Sequence, residues 1–268
     1  SRTLLTFMPR IRWAHFLLLL LALFLALPVL ALLVSWTQWN ALSADLLRQM
    51  AQTVLRQYAG TTVLLCLGVG VGVMCVGALT ASAVTLFEFR GRKVLEWALL
   101  LPLAMPAYVV AFAYTDSLQY SGPLQNLLRE TFGLQGRVLP EVRSLGGAVL
   151  VFTLTLYPYV YLLARTALGE RAGHLMEAAR LLGAPLGRRI IRVALPMARP
   201  AIAAGVALAL METLADFGVA SYFGVQTFTA GIYKAWLSFD DRISAAQLAT
   251  MLLLLVVLLL TLERRAQK

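Results

Sequence analysis

The stretch Glu170–Pro200, ERAGHLMEAARLLGAPLGRRIIRVALPMARP, is a charged island in an otherwise apolar chain. It holds Arg171, Arg180, Arg188, Arg189, Arg192 and Arg199, with Arg165 just upstream, and also Glu170, Glu177 and His174. A charge in hydrocarbon costs roughly 2.5–3.5 kcal/mol on insertion scales, so this stretch is not expected to cross a membrane. Nor is it expected to be disordered. Leu175, Met176, Ala179 and Leu182 recur at helical spacing, and Gly183 stands where a helix end needs a left-handed residue. Pro185 suits the first turn of a second helix, whose N–H groups have no intrahelical partner anyway, and Pro196 is expected to close that second segment. The expectation is two short helices about a glycine hinge, carried on the aqueous side between two spans.

Working outward, the surroundings are membrane-like. Of the 268 residues, 60% are hydrophobic and 13% charged, where soluble domains average about 45–50% and ~25%. Runs of span length occupy 16–36, 61–84, 97–115, 145–164 and 243–262, and a sixth, 200–220, is apolar apart from Glu212 and Asp216. Each is long enough for a hydrocarbon core of ~30 Å. The fold class expected is therefore an all-α integral membrane protein of six transmembrane helices, forming a single domain over 1–268. With both termini on one side, sixteen of the 23 Lys and Arg fall on that side, which makes it the cytoplasm and places the loop 170–196 there. The net charge of +10 thus reports membrane orientation, and no nucleic-acid partner is implied. Arg2, Arg10, Arg12 and Trp13 would anchor span one, with Trp36 and Trp39 at its outer end. The chain starts at Ser1 without a cleavable-signal pattern and stops at Lys268 directly after a span, which fits one half of a longer fused chain.

Several features inside the spans carry structural or chemical expectations. Gly68 and Gly72 lie one turn apart and should admit a neighbouring helix closely, rather than cradle a phosphate. Cys66 and Cys75 are nine residues apart, on opposite helix faces, and cannot pair with each other. Pro102 and Pro106 should bend span three, and Tyr157-Pro158-Tyr159 is a second cluster of kink and phenol. Between spans, an amphipathic surface helix is expected within 37–60 and a short helix near 124–132. Residues 217–246 are too apolar for a plain loop and read as partly re-entrant or interfacial. Glu212 and Asp216, at i and i+4, would share one face of span five and line a wet cavity, bind cations or share a proton; the alternative is that the span ends early and both sit at the headgroups. With Tyr114, Asp116, Tyr159 and Tyr222 they form the candidate pathway set. An intramembrane aspartyl protease built on Asp116 and Asp216 lacks its usual sequence context, and the absence of an internal repeat gives no support to an inverted-repeat secondary carrier. No lysine follows a glycine, so the chain has no phosphate loop of the Gly-Lys-Ser/Thr type.

Glu177-Ala178-Ala179, three residues, Gly183, nine residues, Val193, one residue and Leu195-Pro196 together resemble the EAA loop of binding-protein-dependent ABC-transporter permeases, with valine at the isoleucine position. The resemblance implies a permease fold with a cytoplasmic coupling helix that docks on an ATPase, so that Glu177, Ala178, Ala179, Gly183, Leu195 and Pro196 would serve coupling. The segments PLAMPAYVVAF, from Pro102, and ETLADFG, from Glu212, look like the N-terminal half of iron(III)-type permeases. That narrower likeness implies a non-catalytic subunit for Fe(III) import in a bacterial inner membrane. Its implied partners are a periplasmic binding protein, a second permease half and two ATPase subunits that bind the ATP; this chain itself would take no cofactor. A permease for thiamine or a polyamine is the alternative within the family, and a secondary carrier or membrane enzyme the alternative outside it.

Overall fold

A computed structural model of the chain describes residues 7–38 and 40–267, with side chains over 12–38, 40–169 and 172–265. Arg2 and Trp39, and the side chains of Arg10, Glu170 and Arg171, lie outside the described residues. The described elements are all helical. They run α1 (Phe7–Val34), α2 (Ala41–Thr53), α3 (Leu55–Leu86), α4 (Arg92–Ala98), α5 (Ala107–Leu118), α6 (Pro123–Phe132) and α7 (Leu145–Ala167). After these come α8 (Gly173–Leu181), α9 (Leu186–Arg189), α10 (Leu195–Ala215), α11 (Gly218–Phe223), α12 (Phe228–Tyr233) and α13 (Arg242–Gln267). Five stretches are long and apolar enough to cross a bilayer: Arg12–Thr37, Leu55–Leu86, Leu145–Ala167, Leu186–Ala215 and Arg242–Arg265.

A sixth candidate crossing is broken. Residues Arg92–Ala104 and Ala107–Phe132 meet at 100°, where the sequence predicts a single bent span over 97–115. The cause is local: Pro106 disfavours helical geometry at the preceding residue, and Met105 is extended at φ −115° and ψ 129°. Pro102 starts the short 3₁₀ turn Leu101–Ala104, and Pro106 stands immediately before α5.

The central helix is α7, which packs mainly on α3 and α10 and has Val151, Val160, Tyr161 and Ala164 fully buried. Small residues set those approaches. A Cβ at Gly68 would lie 2.8 Å from a methyl of Val149, and one at Gly72 would meet the side chain of Thr153, so the predicted small-residue stripe is the seam of α3 against α7. The closest crossing of backbones was not read from the sequence. A Cβ at Gly205 of α10 would stand 2.6 Å from the Val160 Cα and 3.0 Å from the Tyr159 carbonyl oxygen. Cys66 is half-buried and Cys75 exposed, both free thiols, as their spacing predicts. By contrast α1 has no buried residue in its apolar window and rests mainly on α13.

A second, smaller cluster joins α2, the start of α3, α12 and α13. Met50, Tyr58, Phe228 and Leu248 are its largest buried members, with Leu46 and Leu47 of the expected surface helix packed against the cluster. Asp241 ties this end together: it accepts from the Ile243 N–H (3.0 Å) and both the N–H and Oγ of Ser244, capping α13, and from Ser43 Oγ of α2 (3.1 Å). Burial pushes its carboxyl up, but these hydrogen bonds outweigh burial and hold it below the usual carboxylate range.

Candidate functional site

The charged island folds into the end of one helical run and the start of another. α7 continues through a widened π turn, Leu168–Ala172, into α8, which buries Met176 and exposes Glu177 and Ala178. Its end is a Schellman motif: Ala184 N–H donates to the Ala179 carbonyl (3.0 Å) and Gly183 N–H to that of Arg180 (2.9 Å), with Gly183 at φ +80°. Any side chain at that φ is strained by roughly 1 kcal/mol or more, which is why glycine is needed there. Leu181 and Leu182 are 85% and 88% exposed beside this turn, and Leu175 is 51% exposed. Leucines so placed on a charged segment form an apolar face that is uncovered in the single chain. Arg189 Nη1 donates to the Met176 carbonyl (3.4 Å), holding α8 against α9.

The second half of the island departs from expectation. Pro185 does precede a helix, but Pro196 does not close it. Helical structure runs from Leu186 to Ala215, 30 residues, through a π turn at Ile190–Ala194. Pro196 falls at the first turn of α10, just after that widened turn, where the hydrogen-bond ladder already changes register and a missing N–H is tolerated. Arg188, Arg192 and Arg199 are exposed along this segment, so the same helix carries charge at one end and apolar surface at the other.

At that other end, α10 stops at Ala215, five residues short of the span limit predicted at 220. Asp216 leaves the helix at φ −76° and ψ 129°, so the shared helical face expected for Glu212 and Asp216 ends before Asp216. Its carboxylate caps α11 instead, accepting from the N–H groups of Val219 (2.8 Å) and Ala220 (3.4 Å). Glu212 is exposed in the last turn, close enough to Asp216 and to Tyr159 of α7 to act on both electrostatically. The structure thus brings Glu212, Asp216 and Tyr159 together. Tyr222 belongs to another group: Arg143 covers its ring at 4.9 Å and donates twice to its carbonyl, at 3.0 and 2.6 Å, while Phe112 lies 6.2 Å away. Tyr114 packs against the main core, and Asp116 is exposed near the end of α5. An apolar cavity of about 850 Å³ opens between α3, α10 and α13, with Arg199 and Glu263 among its lining, but none of these six residues lines it.

Two polar features escaped the sequence reading. Arg143 sits in a mixed-charge loop, and its partner is 79 positions away. Glu96 stands just before the apolar run 97–115; its four-residue spacing from Arg92 is a legible local signal, whereas its second partner, Arg165, is 69 positions on.

Comparison with known proteins adds the family. The chain is 26% identical over 249 residues to an Fe(3+)-transport system permease of Haemophilus influenzae, covering 92% of this chain and 44% of that one. A putative 2-aminoethylphosphonate transport permease of Salmonella typhimurium is 26% identical, covering 73% of this chain and 69% of its own. A probable molybdenum ABC transporter permease of Haloferax volcanii is 33% identical over 57% of this chain and 52% of its own. The chain therefore spans less than half the length of the iron-permease relative. Among solved structures, a bacterial alginate ABC transporter in complex with alginate pentasaccharide-bound periplasmic protein contains a chain of the same fold, with TM-score 0.74, 19% identity and coverage of 97% and 96%. Residues 73–266 match the family described as binding-protein-dependent transport system inner membrane component, and the chain belongs to that family of ABC importer permeases.

Proposed function

We propose that this chain is the membrane subunit through which an ATP-driven importer passes Fe(III). In this reading a periplasmic binding protein delivers the ion, a second permease half completes the pathway, and two ATPase subunits bind and hydrolyse ATP. The observation that carries the coupling role is the uncovered apolar face of α8 beside the Gly183 turn, which a cleft on an ATPase would cover. Support for iron comes from the extent of the likeness to the Fe(3+) permease, over 92% of this chain, and from the exposed Glu212 carboxylate. A carboxylate at the pathway attracts a hard cation that prefers oxygen ligands and repels oxyanions. Uptake of radiolabelled Fe(III) into vesicles containing the assembled transporter, in competition with molybdate and 2-aminoethylphosphonate, tests this directly. Iron uptake insensitive to both anions is expected; uptake of either anion in its place would replace iron as the substrate.

The coupling role makes its own prediction. Gly183→Val and Glu177→Lys should insert and assemble normally, because neither position contacts the core, yet both should lose most substrate-stimulated ATP hydrolysis. Full stimulation in both variants would remove α8 from coupling.

Orientation follows from the same reading, with both termini and α8 in the cytoplasm. In a background with Cys66 and Cys75 replaced by alanine, Lys93→Cys and Arg188→Cys are both on exposed positions. A membrane-impermeant maleimide should label them only after the cells are opened. Labelling of Arg188→Cys from outside intact cells would reverse the topology.

A further inference from the structure

The last turn of α4 is held by a row of donors on α7. Tyr157, Tyr161 and Arg165 follow at four-residue intervals and so share one helical face. Tyr157 Oη donates to the Leu99 carbonyl (2.8 Å) and Tyr161 Oη to the Glu96 carbonyl (3.0 Å). These are carbonyls of the kind a helix C-terminus leaves without an internal partner. Arg165 Nη2 donates to Glu96 Oε2 (3.3 Å), while Arg92 Nε donates to the other oxygen, also at 3.3 Å. The Glu96 side chain is only 18% exposed. A half-buried carboxylate between two guanidiniums is worth most where both remain in place, since removing one charge strands the others.

What lies on either side of this contact gives it a purpose. Beyond Arg165, helical structure continues through the π turn Leu168–Ala172 into α8, whose first residue, Gly173, is only eight positions on, about 12 Å at a rise of 1.5 Å per residue. Beyond α4, the chain breaks at Met105 and Pro106 and turns by 100° into α5. The clamp therefore sits between the element proposed to meet the ATPase and the hinge of the broken crossing. A packed, doubly hydrogen-bonded contact moves as one piece, while the proline break concentrates any change of angle.

We propose that Glu96 and Arg165, backed by Tyr157 and Tyr161, latch α4 to α7, so that movement of α8 is delivered to the hinge at 102–106. Glu96 and Arg165 are then positioning residues for coupling, touching neither ATPase nor substrate. This rests on the importer reading above.

The test uses the complex assembled with its ATPase in liposomes, without Cys66 and Cys75, and with spin labels at exposed positions. Between nucleotide-free and nucleotide-bound states, labels at Val94 of α4 and Leu162 of α7 should keep their separation within about 2 Å. Labels at Val94 and at Leu124 of α6, across the hinge, should change theirs. Glu96→Gln and Arg165→Gln, made singly, should each lower Fe(III) transported per ATP by about tenfold, within the usual span of coupling effects, and the two changes together should cost no more than either alone, as expected of a directly coupled pair. Changing Val94–Leu162 separation in a nucleotide-responsive complex overturns the latch alone. So do fully additive losses when both changes are combined in well-assembled protein. A chain that never recovers an ATPase overturns the importer reading and the latch together.

Discussion

Gly205→Leu will leave little folded protein. The Cβ it introduces must occupy space 2.6 Å from the Val160 Cα and 2.9 Å from its nitrogen, so backbone, and not a yielding side-chain tip, stands in the way. Overpacking a core with a few extra carbons typically costs about 1–3 kcal/mol, and a backbone clash belongs at or above the top of that range. Separation of α10 from α7 would also disturb the main core, to which Val206 and Leu210 of α10 belong. The measurement is the fraction of monodisperse protein after heating in detergent. Gly205→Ala should already lower the midpoint clearly, while Gly169→Ala, whose added Cβ meets nothing within 4 Å, should not. Equal stability of Gly205→Leu and the parent would mean that these helices do not cross at Gly205.

Glu212→Gln combined with Asp216→Asn is expected to abolish Fe(III) uptake while the complex still assembles and retains basal ATP hydrolysis. The geometry makes this double change a clean one. Asp216 caps α11 through an oxygen, and asparagine is as good a cap, so the structural contact survives while the charge goes. Glu212 is exposed and loses only its charge. Asp216→Ala, in contrast, should destabilise α11 by about 1 kcal/mol through loss of the cap. Of the two single neutral changes, Glu212→Gln should have the larger effect on uptake, because its carboxylate is not occupied by backbone donors. Uptake unchanged in the double variant would remove both residues from the pathway. Loss of assembly in the double variant would give them a packing role instead.

Much of this architecture was legible, and the reasons differ from place to place. The Gly183 turn was readable because a helical apolar pattern stopped where a glycine began, and a left-handed cap is a local requirement. The stripe of Gly68 and Gly72 was readable because one element carried both halves of the signal. Pro196 misled: a proline is a helix stop only where an N–H is needed, and the π turn before it removes that need. Asp216 misled in the opposite sense. Four-residue spacing implies a shared face only while the helix lasts, and α10 ends one residue earlier. Gly205 and the pairing of Glu96 with Arg165 were out of reach, since each depends on which helices meet.

The long helix Leu186–Ala215 has a consequence of another kind. Thirty residues measure roughly 45 Å at the α-helical rise, against a hydrocarbon thickness of ~30 Å. About a third of this rod must therefore stand in the headgroups and water unless it tilts strongly. Arg188, Arg189, Arg192 and Arg199 all lie within its first half, so the projecting part is the basic one. How far that basic end stands clear of the lipid depends on bilayer thickness. Acyl-chain length thus becomes a physical variable of the transporter, setting the height at which its membrane rod presents itself to whatever pushes on it.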